Sequence, residues 1–380
     1  MRVYLDNAAT TAIDPTVVEA MLPYMTTAFG NPSSTHWHGR NVRSAIEKAR
    51  KTIAELLQCS TSEIFFTSGG TEADNCALRG AIATFSIQHV ISSSIEHSAV
   101  LQTLQHLAGE EKIQLHFVDL DEQGQIDLQH LTLLLQKYPN ALVSLMHANN
   151  EIGNLNPIEE IGNICRTYKA FFHSDTVQTI GHFTHNLSQL PIDYLVASAH
   201  KFHGPKGIGF LYVNRKAKIH PLITGGAQER NMRGGTENVY GIVGLAKALE
   251  IAYEHMSDHR QQISQLKKHL IEQLQKNIEG VSFNGTSAHL DKSLYTVLNV
   301  CLPASEENDM LLFNLDLQGI SASGGSACSS GAAVGSHVLA ALQHPKEKGA
   351  VRFSFSKFNT LSEIDYTVEQ LIALYKGIAT

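Results

Sequence analysis

Short, β-rich apolar runs alternate with helix-like stretches between residues 64 and 213, and this alternation constrains the fold most strongly. The runs are Ile64–Thr67, His89–Ser93, Ile113–Val118, Ala141–Met146, Ala170–Ser174, Asp193–Ser198 and Ile208–Val213. The helix-like stretches between several of them are Glu72–Ala83, Ala99–Leu107, Leu128–Lys137 and Pro157–Tyr168. Strands that are apolar along their whole length are typical of a mostly parallel sheet covered on both faces. The sequence therefore predicts an α/β protein.

A second, smaller module is predicted after Gly241, where the pattern changes. Residues 242–278 have helical periodicity with only a weak break. Beyond them we predict strands near Leu294–Cys301, Ile320–Ser323 and Val351–Phe355, and a last helix over Ser362–Tyr375.

Composition excludes several functional classes. The net charge is −7 without a basic run, which argues against a nucleic-acid or anionic-membrane partner. Residues 1–7 lack an apolar signal core, and no stretch approaches membrane-spanning length. The five scattered cysteines contain no Cys-x-x-Cys pair, which favours free thiols in a reducing compartment such as the cytoplasm. No Cys/His cluster has zinc-type spacing, so no metal centre is expected.

Lys201 ends the segment Ser198–Lys201, which closes an apolar run. A lysine at the end of a buried strand is costly to desolvate, and burial lowers the pKa of its amine, which can then form a Schiff base. Asp175 ends another apolar run. A lysine together with an aspartate for a pyridinium nitrogen is the minimal set for pyridoxal phosphate (PLP). The alternative is a surface lysine beside an ordinary loop.

The segment Thr67–Asp74 has the pattern of a strand, a glycine turn and a helix start. Exposed amides at that helix end, with the Thr71 hydroxyl, could hold a phosphate dianion. A plain helix cap made by Thr71 and Glu72 is the alternative. Ligands of such sheets bind at the carboxyl ends of the strands, so Thr71, Asp175 and Lys201 are predicted to share one site.

Four further segments are candidates, each with an ordinary structural alternative. His97 follows a strand and could lie over a cofactor ring, or belong to a helix cap. Asn149–Gly153 could be only a loop turn. Arg230–Asn238 offers glycines and donors for a second phosphate contact, or forms a surface loop. Arg352 could grip a carboxylate through its guanidinium, although an exposed strand arginine is more common.

Cys328 lies in Gly324–Gly331, among glycines, serines and alanines that have almost nothing to bury. The segment predicts an exposed loop whose thiol can reach a substrate, with a linker and an incidental cysteine as the alternative. The other four cysteines lie in helix-like or apolar contexts and are expected to be inert.

Taken in order, these motifs make the chain resemble the cysteine desulfurases of the NifS/IscS type, within the PLP-dependent class V aminotransferase-like enzymes. The resemblance runs from Tyr4 to the strand that carries Arg352. Its motifs are Tyr4–Thr11, Phe29–Ser34, Gly70–Glu72, Glu96–His97, Asn149–Gly153, Asp175 with Gln178, Ser198–Lys201, Arg233–Asn238 and Gly325–Cys328.

The resemblance implies PLP fold type I, with a large domain around a mostly parallel seven-stranded sheet and a smaller α+β domain that contains both termini. We place the large domain at 15–255 and the small domain at 1–14 and 256–380. The implied reaction removes sulfur from L-cysteine, giving L-alanine and a persulfide on Cys328. A selenocysteine lyase, another class V aminotransferase and a non-enzymatic scaffold are the alternatives.

The resemblance also implies a role for each matching residue. Lys201 would hold PLP as a Schiff base and move protons, Asp175 would pair with the pyridine nitrogen, and His97 would stack on the ring and act in acid–base steps. Arg352 would bind the substrate carboxylate, and Cys328 would attack the sulfur. The remaining cofactor contacts would be Gln178 at the phenolic oxygen, Asn150 beside ring and substrate, and Gly70, Thr71, Ser198, His200 and the partner-subunit Thr236 at the phosphate.

Two partners follow from the resemblance: a second copy of the chain in a homodimer, and a protein that accepts the sulfur, such as an iron–sulfur scaffold. The stretch Ser329–His337 matches the longer-loop group in length. Its Ala333–Gly335 stands where members often have an acidic-proline element, and Gly324–Ser326 replaces a more common serine-rich run. These differences leave the acceptor open, because that loop delivers sulfur outward.

Overall fold

The computed structural model describes residues 1–324 and 335–375, and a seven-stranded sheet is its main element. The spatial order of the strands is β2-β8-β7-β6-β5-β3-β4. Strand β8 runs antiparallel to both of its neighbours, and all other pairs are parallel. The strands are β2 (Ile64–Thr67), β3 (His89–Ser92), β4 (Gln114–Phe117), β5 (Leu142–Ser144), β6 (Phe171–Asp175), β7 (Tyr194–Ser198) and β8 (Gly209–Val213). All seven predicted strands are confirmed, with ends shifted by no more than two residues.

Helices pack on the sheet and bury its side chains. They are α1 (Pro15–Thr26), α2 (Trp37–Leu57), α3 (Gly70–Phe85), α4 (Ser98–Gly109), α5 (Leu128–Lys137), α6 (Ile158–Thr167) and α7 (Val239–Glu254). Helices α3 to α6 coincide with predicted helices, and α5 agrees to the residue. Helices α1 and α2 are absent from the prediction. The pattern of α2 is nevertheless amphipathic, because Val42, Ile46, Ala49, Ile53 and Leu57 recur at helical spacing and are all buried.

The smaller module is built on strand β10 (Val297–Ala304), which lies between β12 (Lys348–Ser354) and β9 (Ser282–Phe283) in an antiparallel sheet. Strand β1 (Val3–Tyr4) pairs in parallel with β11 (Ile320–Ser321), so the first residues join this module. Its helices are α8 (Met256–Asn277), α9 (Leu311–Leu317), α10 (His337–Ala341) and α11 (Leu361–Tyr375). The predicted weak break after Gly241 falls at His255, between α7 and α8.

Separate hydrophobic cores accompany the two sheets. One cluster packs on the large sheet and includes Phe172, Leu195 and Phe210. Another joins Leu5 to Leu270 and Phe353 around β10. The exact domain boundaries at residues 14 and 255 remain a prediction. Over the described residues, no helix combines the length and the hydrophobicity that a membrane crossing requires.

Candidate active site

A cavity of about 190 Å³ lies at the carboxyl ends of the central strands, where a sheet of this type places its ligands. Polar side chains and small residues line it together. The lining residues that the sequence predicts are Gly70, Thr71, His97, Asn150, Asp175, Gln178, Ser198, His200, Lys201 and Arg352. Ten candidates from distant parts of the chain therefore meet in one place.

Lys201 lies in a short 3₁₀ turn, Ala199–Lys201, directly after β7. Its side chain is half-buried, and Nζ donates hydrogen bonds to the carbonyl oxygens of Ala8 at 2.5 Å and Ala9 at 2.9 Å. The turn ends the strand because Gly204 N donates back to Ala199 O. The lysine amine is thus held at the cavity by backbone from the N-terminal segment.

Asp175 is the last residue of β6 and is buried against the cavity. Its Oδ1 accepts a hydrogen bond of 2.8 Å from Val177 N. Burial raises the pKa of Asp175, and the facing His97, the Val177 amide and Lys201 oppose this rise. The carboxyl group therefore sits where a cationic partner would favour its charged form.

His97 is both a helix cap and a cavity residue. Its Nδ1 accepts a hydrogen bond of 3.2 Å from Ala99 N at the start of α4, so the ring proton of the neutral form is on Nε2. Burial lowers the pKa of His97; Lys201 and His337 add to this effect, whereas Asp175 opposes it. A neutral imidazole of this kind can take or give a proton near neutral pH.

The N-terminus of α3 faces the same cavity. The helix begins at Gly70 after Gly69, and no side chain caps its first amides. Glu72 instead accepts from Ser68 N at 2.9 Å, so the plain cap made by Thr71 and Glu72 is not observed. A Cβ atom on Gly70 would lie 2.8 Å from Val177 Cγ2, which explains the glycine. Free amides at a helix N-terminus are suited to an anion such as a phosphate.

Arg352 lies on β12 and is only 1% exposed. The alternative of an exposed strand arginine is therefore wrong. Its Nη2 donates to Asp6 Oδ1 at 2.8 Å, and its Nη1 donates to Asn150 O at 2.9 Å. Its Nε is buried and has no hydrogen-bond partner within the described ranges. One side-chain carboxylate and one main-chain carbonyl thus fix the guanidinium at the cavity wall.

Gln178, Ser198 and His200 complete the predicted group. Gln178 Nε2 donates to Ala8 O at 3.2 Å, and Ser198 ends β7. His200 Nδ1 lies 3.1 Å from Thr10 Oγ1, and burial lowers the pKa of His200 to about 4. His200 is therefore neutral at physiological pH.

Among the described residues, one predicted site residue, Thr236, is not part of this cavity. Thr236 is exposed and lines a separate depression with Ser68 and Gly207. Cys328 lies in residues 325–334, outside the described residues.

Buried ionisable residues to which the sequence assigns no role lie next to the cavity. Asp74 lines it from the second turn of α3, and its Oδ1 is 3.3 Å from Nε2 of the fully buried His173. Burial raises the pKa of Asp74 and of Glu96 well above the usual carboxyl range and lowers the pKa of His173 to about 3. Asp74 stood inside the predicted glycine-turn motif, but only its tertiary position beside Asp175 distinguishes it from an ordinary helix residue.

The loop that carries Thr236 has an unusual backbone. Glu229, Arg230 and Asn231 have φ values of 43°, 57° and 67°, so three successive non-glycine residues are left-handed. Each such residue costs roughly 1–2 kcal/mol unless its surroundings compensate. Glu229 forms a buried ion pair with Arg50, with distances of 2.7 and 2.8 Å to the two carboxylate oxygens. The loop is therefore held in place rather than being the loose surface segment that was the alternative.

The sheet order and the cavity define an α/β fold of the PLP-dependent transferase class. The family model described as aminotransferase class-V matches residues 3–367, and the chain belongs to this family. A cysteine desulfurase IscS from Dictyoglomus turgidum is 42% identical over 382 residues, covering 100% of this chain and 95% of the relative.

Two solved structures are similar over almost the whole fold. A NifS-like protein superimposes with a TM-score of 0.90 at 37% identity and covers 98% of this chain and 99% of its own. The protein SspA in complex with cysteine has a TM-score of 0.82 at 32% identity, covering 94% of this chain and 100% of its own.

Members of this family depend on PLP, and the cavity fits that group. It presents a lysine amine for the aldehyde, a buried carboxyl for the ring nitrogen and an uncapped helix N-terminus for the phosphate. The absence of any side-chain cap on the first amides of α3, at the wall of the cavity, is the observation that fits a phosphate at this turn.

Proposed function

We propose that this protein is a cysteine desulfurase, which converts L-cysteine into L-alanine and leaves the sulfur as a persulfide on Cys328. The observation that carries the proposal is the convergence of Lys201, Asp175, His97 and Arg352 on one cavity. Similarity to curated cysteine desulfurases over the full chain supports the same reaction.

Each cavity residue has a proposed task. Lys201 would hold PLP through its amine and move protons at that nitrogen, and Asp175 would pair with the pyridine nitrogen. His97 would stack on the ring and exchange a proton through Nε2. When bound, PLP supplies an electron sink for the substrate. The other proposed holders are Gln178 at the phenolic oxygen, Asn150 beside ring and substrate, and Gly70, Thr71, Ser198 and His200 at the phosphate.

Arg352 is proposed to bind the carboxylate of L-cysteine. The bonds to Asp6 and Asn150 hold the guanidinium in one orientation before the substrate arrives, so little side-chain entropy is lost on binding. The Asp6 carboxylate also compensates part of the positive charge of the Arg352 guanidinium before the substrate binds.

Cys328 is the proposed sulfur acceptor. The chain reaches its segment from beside Arg352, because Ser323 N donates to Arg352 O at 3.2 Å and Arg352 N donates to Ser323 O at 2.6 Å. The segment of Cys328 therefore starts at the strand that carries the proposed carboxylate site.

We also propose that the protein works as a homodimer. Val18, Leu22 and Met25 form an exposed apolar stripe on α1, and Phe29 and Trp37 follow it with 73% and 64% exposure. Unpaired apolar surface of this kind marks an interface, and a second copy of the chain is its proposed partner. Thr236 would then face the cofactor phosphate of that second copy.

The persulfide is proposed to pass to an acceptor protein such as an iron–sulfur scaffold, or into other sulfur-containing biomolecules. The cytoplasm is the proposed location, because Cys59, Cys76, Cys165 and Cys301 are all free and so fit a reducing compartment.

The test is to incubate the PLP-loaded protein with L-cysteine and a reductant and to quantify sulfide and alanine. Equal amounts of both products, lost in Lys201→Ala, are expected. A much faster reaction with L-selenocysteine would reassign the enzyme as a selenocysteine lyase. Transfer of the amino group to an oxo acid, without sulfide, would reassign it as an aminotransferase.

A further inference from the structure

The loop from Gly225 to Asn238 contains a left-handed stretch of backbone that its residues do not favour. The left-handed run Glu229–Asn231 lies seven to five residues before Thr236. Residues other than glycine rarely adopt the left-handed backbone region. The strain of such a conformation persists only where the surroundings impose it. The structure must therefore contain groups that hold this run in place.

The Glu229 carboxylate is the group that does so. It accepts from Arg50 Nη1 and Nη2 at 2.8 and 2.7 Å and from Phe66 N at 2.8 Å, so both oxygens are used. Both charged side chains are 3% exposed. Arg50 also donates to Ile64 O at 2.8 Å and lies over the Phe66 ring. The pair thus fastens the loop to α2 and to β2 at once.

A second ion pair fastens the same loop next to the glycine turn. Arg233 contacts both oxygens of Glu72, in the first turn of α3, at 2.9 and 3.2 Å. The loop then leaves Thr236 exposed and outside the cavity of its own subunit. Its hydroxyl is therefore displayed on the surface by a rigid support.

We propose that Glu229, through its ion pair with Arg50, is a positioning residue for the active site of the other subunit. The pair holds the loop in the shape that presents Thr236 to the cofactor phosphate bound there. This inference rests on the proposed PLP-dependent homodimer. It predicts that damage to Glu229 in one subunit weakens cofactor binding in its neighbour.

Mixed dimers separate action in the neighbour from action within one subunit. Lys201→Ala in one subunit leaves a single lysine that can hold PLP. The affinity of that remaining site is measured by PLP titration followed by borohydride reduction, which fixes the cofactor on Lys201, and the labelled subunit is counted by mass spectrometry. The reference is the dimer of Lys201→Ala with the unmodified chain.

When Glu229→Gln is placed on the Lys201→Ala subunit, we expect the Kd for PLP at the remaining site to rise at least tenfold. When Glu229→Gln is placed on the subunit with the intact lysine, the Kd is expected to stay within threefold of the reference. Glu250→Gln, which breaks an exposed ion pair with Lys247 on α7, is the matched control and should change neither dimer.

The proposal would be overturned if PLP affinity fell only when Glu229→Gln was on the subunit with the intact lysine. It would also be overturned if PLP affinity fell in neither dimer. A reference dimer that takes up no PLP on Lys201 would instead refute the proposed function. If Glu229→Gln does not fold, Arg50→Lys keeps the buried charge but loses the second hydrogen bond. Arg50→Lys on the Lys201→Ala subunit is then expected to raise the Kd for PLP at the remaining site at least threefold, with no such rise when it is on the other subunit. The absence of this difference counts against the proposal.

Discussion

Arg352 Nη2 donates to Asp6 Oδ1 over 2.8 Å, which joins the last strand of the small sheet to the N-terminal segment. Two and three residues after Asp6, the carbonyl oxygens of Ala8 and Ala9 accept hydrogen bonds from the Lys201 amine. The proposed carboxylate site and the proposed cofactor lysine are therefore linked by a few residues of one segment.

Arg352→Lys is expected to raise the KM for L-cysteine at least tenfold with little change in PLP content. A lysine has a single charged nitrogen, so it cannot keep the contacts to Asp6 Oδ1 and Asn150 O and also bind both oxygens of a carboxylate. Steady-state kinetics together with the cofactor absorbance check this. An unchanged KM would show that another group binds the substrate carboxylate.

Cys328→Ser is expected to stop sulfide release and to leave the cofactor absorbance intact, because only the nucleophile is lost. Cys59→Ser is the control. Burial raises the pKa of Cys59 to about 12, so this thiol is protonated and unreactive at neutral pH. Sulfide at the normal rate from the Cys328 variant would place the nucleophile elsewhere.

Gly70→Ala is expected to weaken PLP binding at least fivefold, since the added Cβ would approach Val177 Cγ2 to 2.8 Å at the helix N-terminus. Gly109→Ala, in a helix position where the Cβ meets no atom within 4 Å, serves as the control. PLP titration of the apoproteins measures both. Equal affinities would mean that the turn does not contact the phosphate.

The burial of Lys267 predicts that the free energy of unfolding of the protein depends on pH. It is fully buried and donates to Ser293 Oγ at 2.8 Å and Leu294 O at 3.0 Å, and burial lowers its pKa to about 7. The unfolded chain, with a lysine pKa of about 10.4, binds more protons between these two values. The contribution of Lys267 to the free energy of unfolding therefore increases as the pH rises above 7 and is lost on acidification.

The measurement compares urea unfolding of the unmodified protein and Lys267→Met at pH 7 and pH 9. The difference in the free energy of unfolding between the two proteins is expected to shift by roughly 2 kcal/mol in favour of the unmodified protein at pH 9. This follows from about 1.4 kcal/mol per pH unit for one proton. Lys268→Met, at an exposed neighbouring position, should show no such shift. A pH-independent difference would contradict the lowered pKa of Lys267.

The sequence is sufficient to predict the strands and the meeting of Lys201 with Asp175, because both end apolar runs and parallel strands end at one edge. The sequence cannot predict the burial of Arg352. The alternation of polar and apolar side chains along β12 does not show which face of the strand the rest of the protein covers. The pairing of Asp74 with His173 joins α3 to β6, and no local pattern records such a contact. The left-handed run at Glu229 is equally invisible, because its residues have no turn-forming glycine and depend on the distant Arg50.

The two hydrogen bonds of the Lys201 amine end on main-chain carbonyls, and this has a consequence for genetic variation. A substitution at position 8 or 9 changes a methyl group but leaves the acceptor oxygen in the chain, so no exchange of side chains deletes either acceptor. What selection can act on there is size, because Ala8 is buried in an apolar cluster with Leu294 and Val297, and Ala9 lines the cavity. In a library that randomises positions 8, 9 and 201, small residues should survive at the first two positions and only lysine at the third.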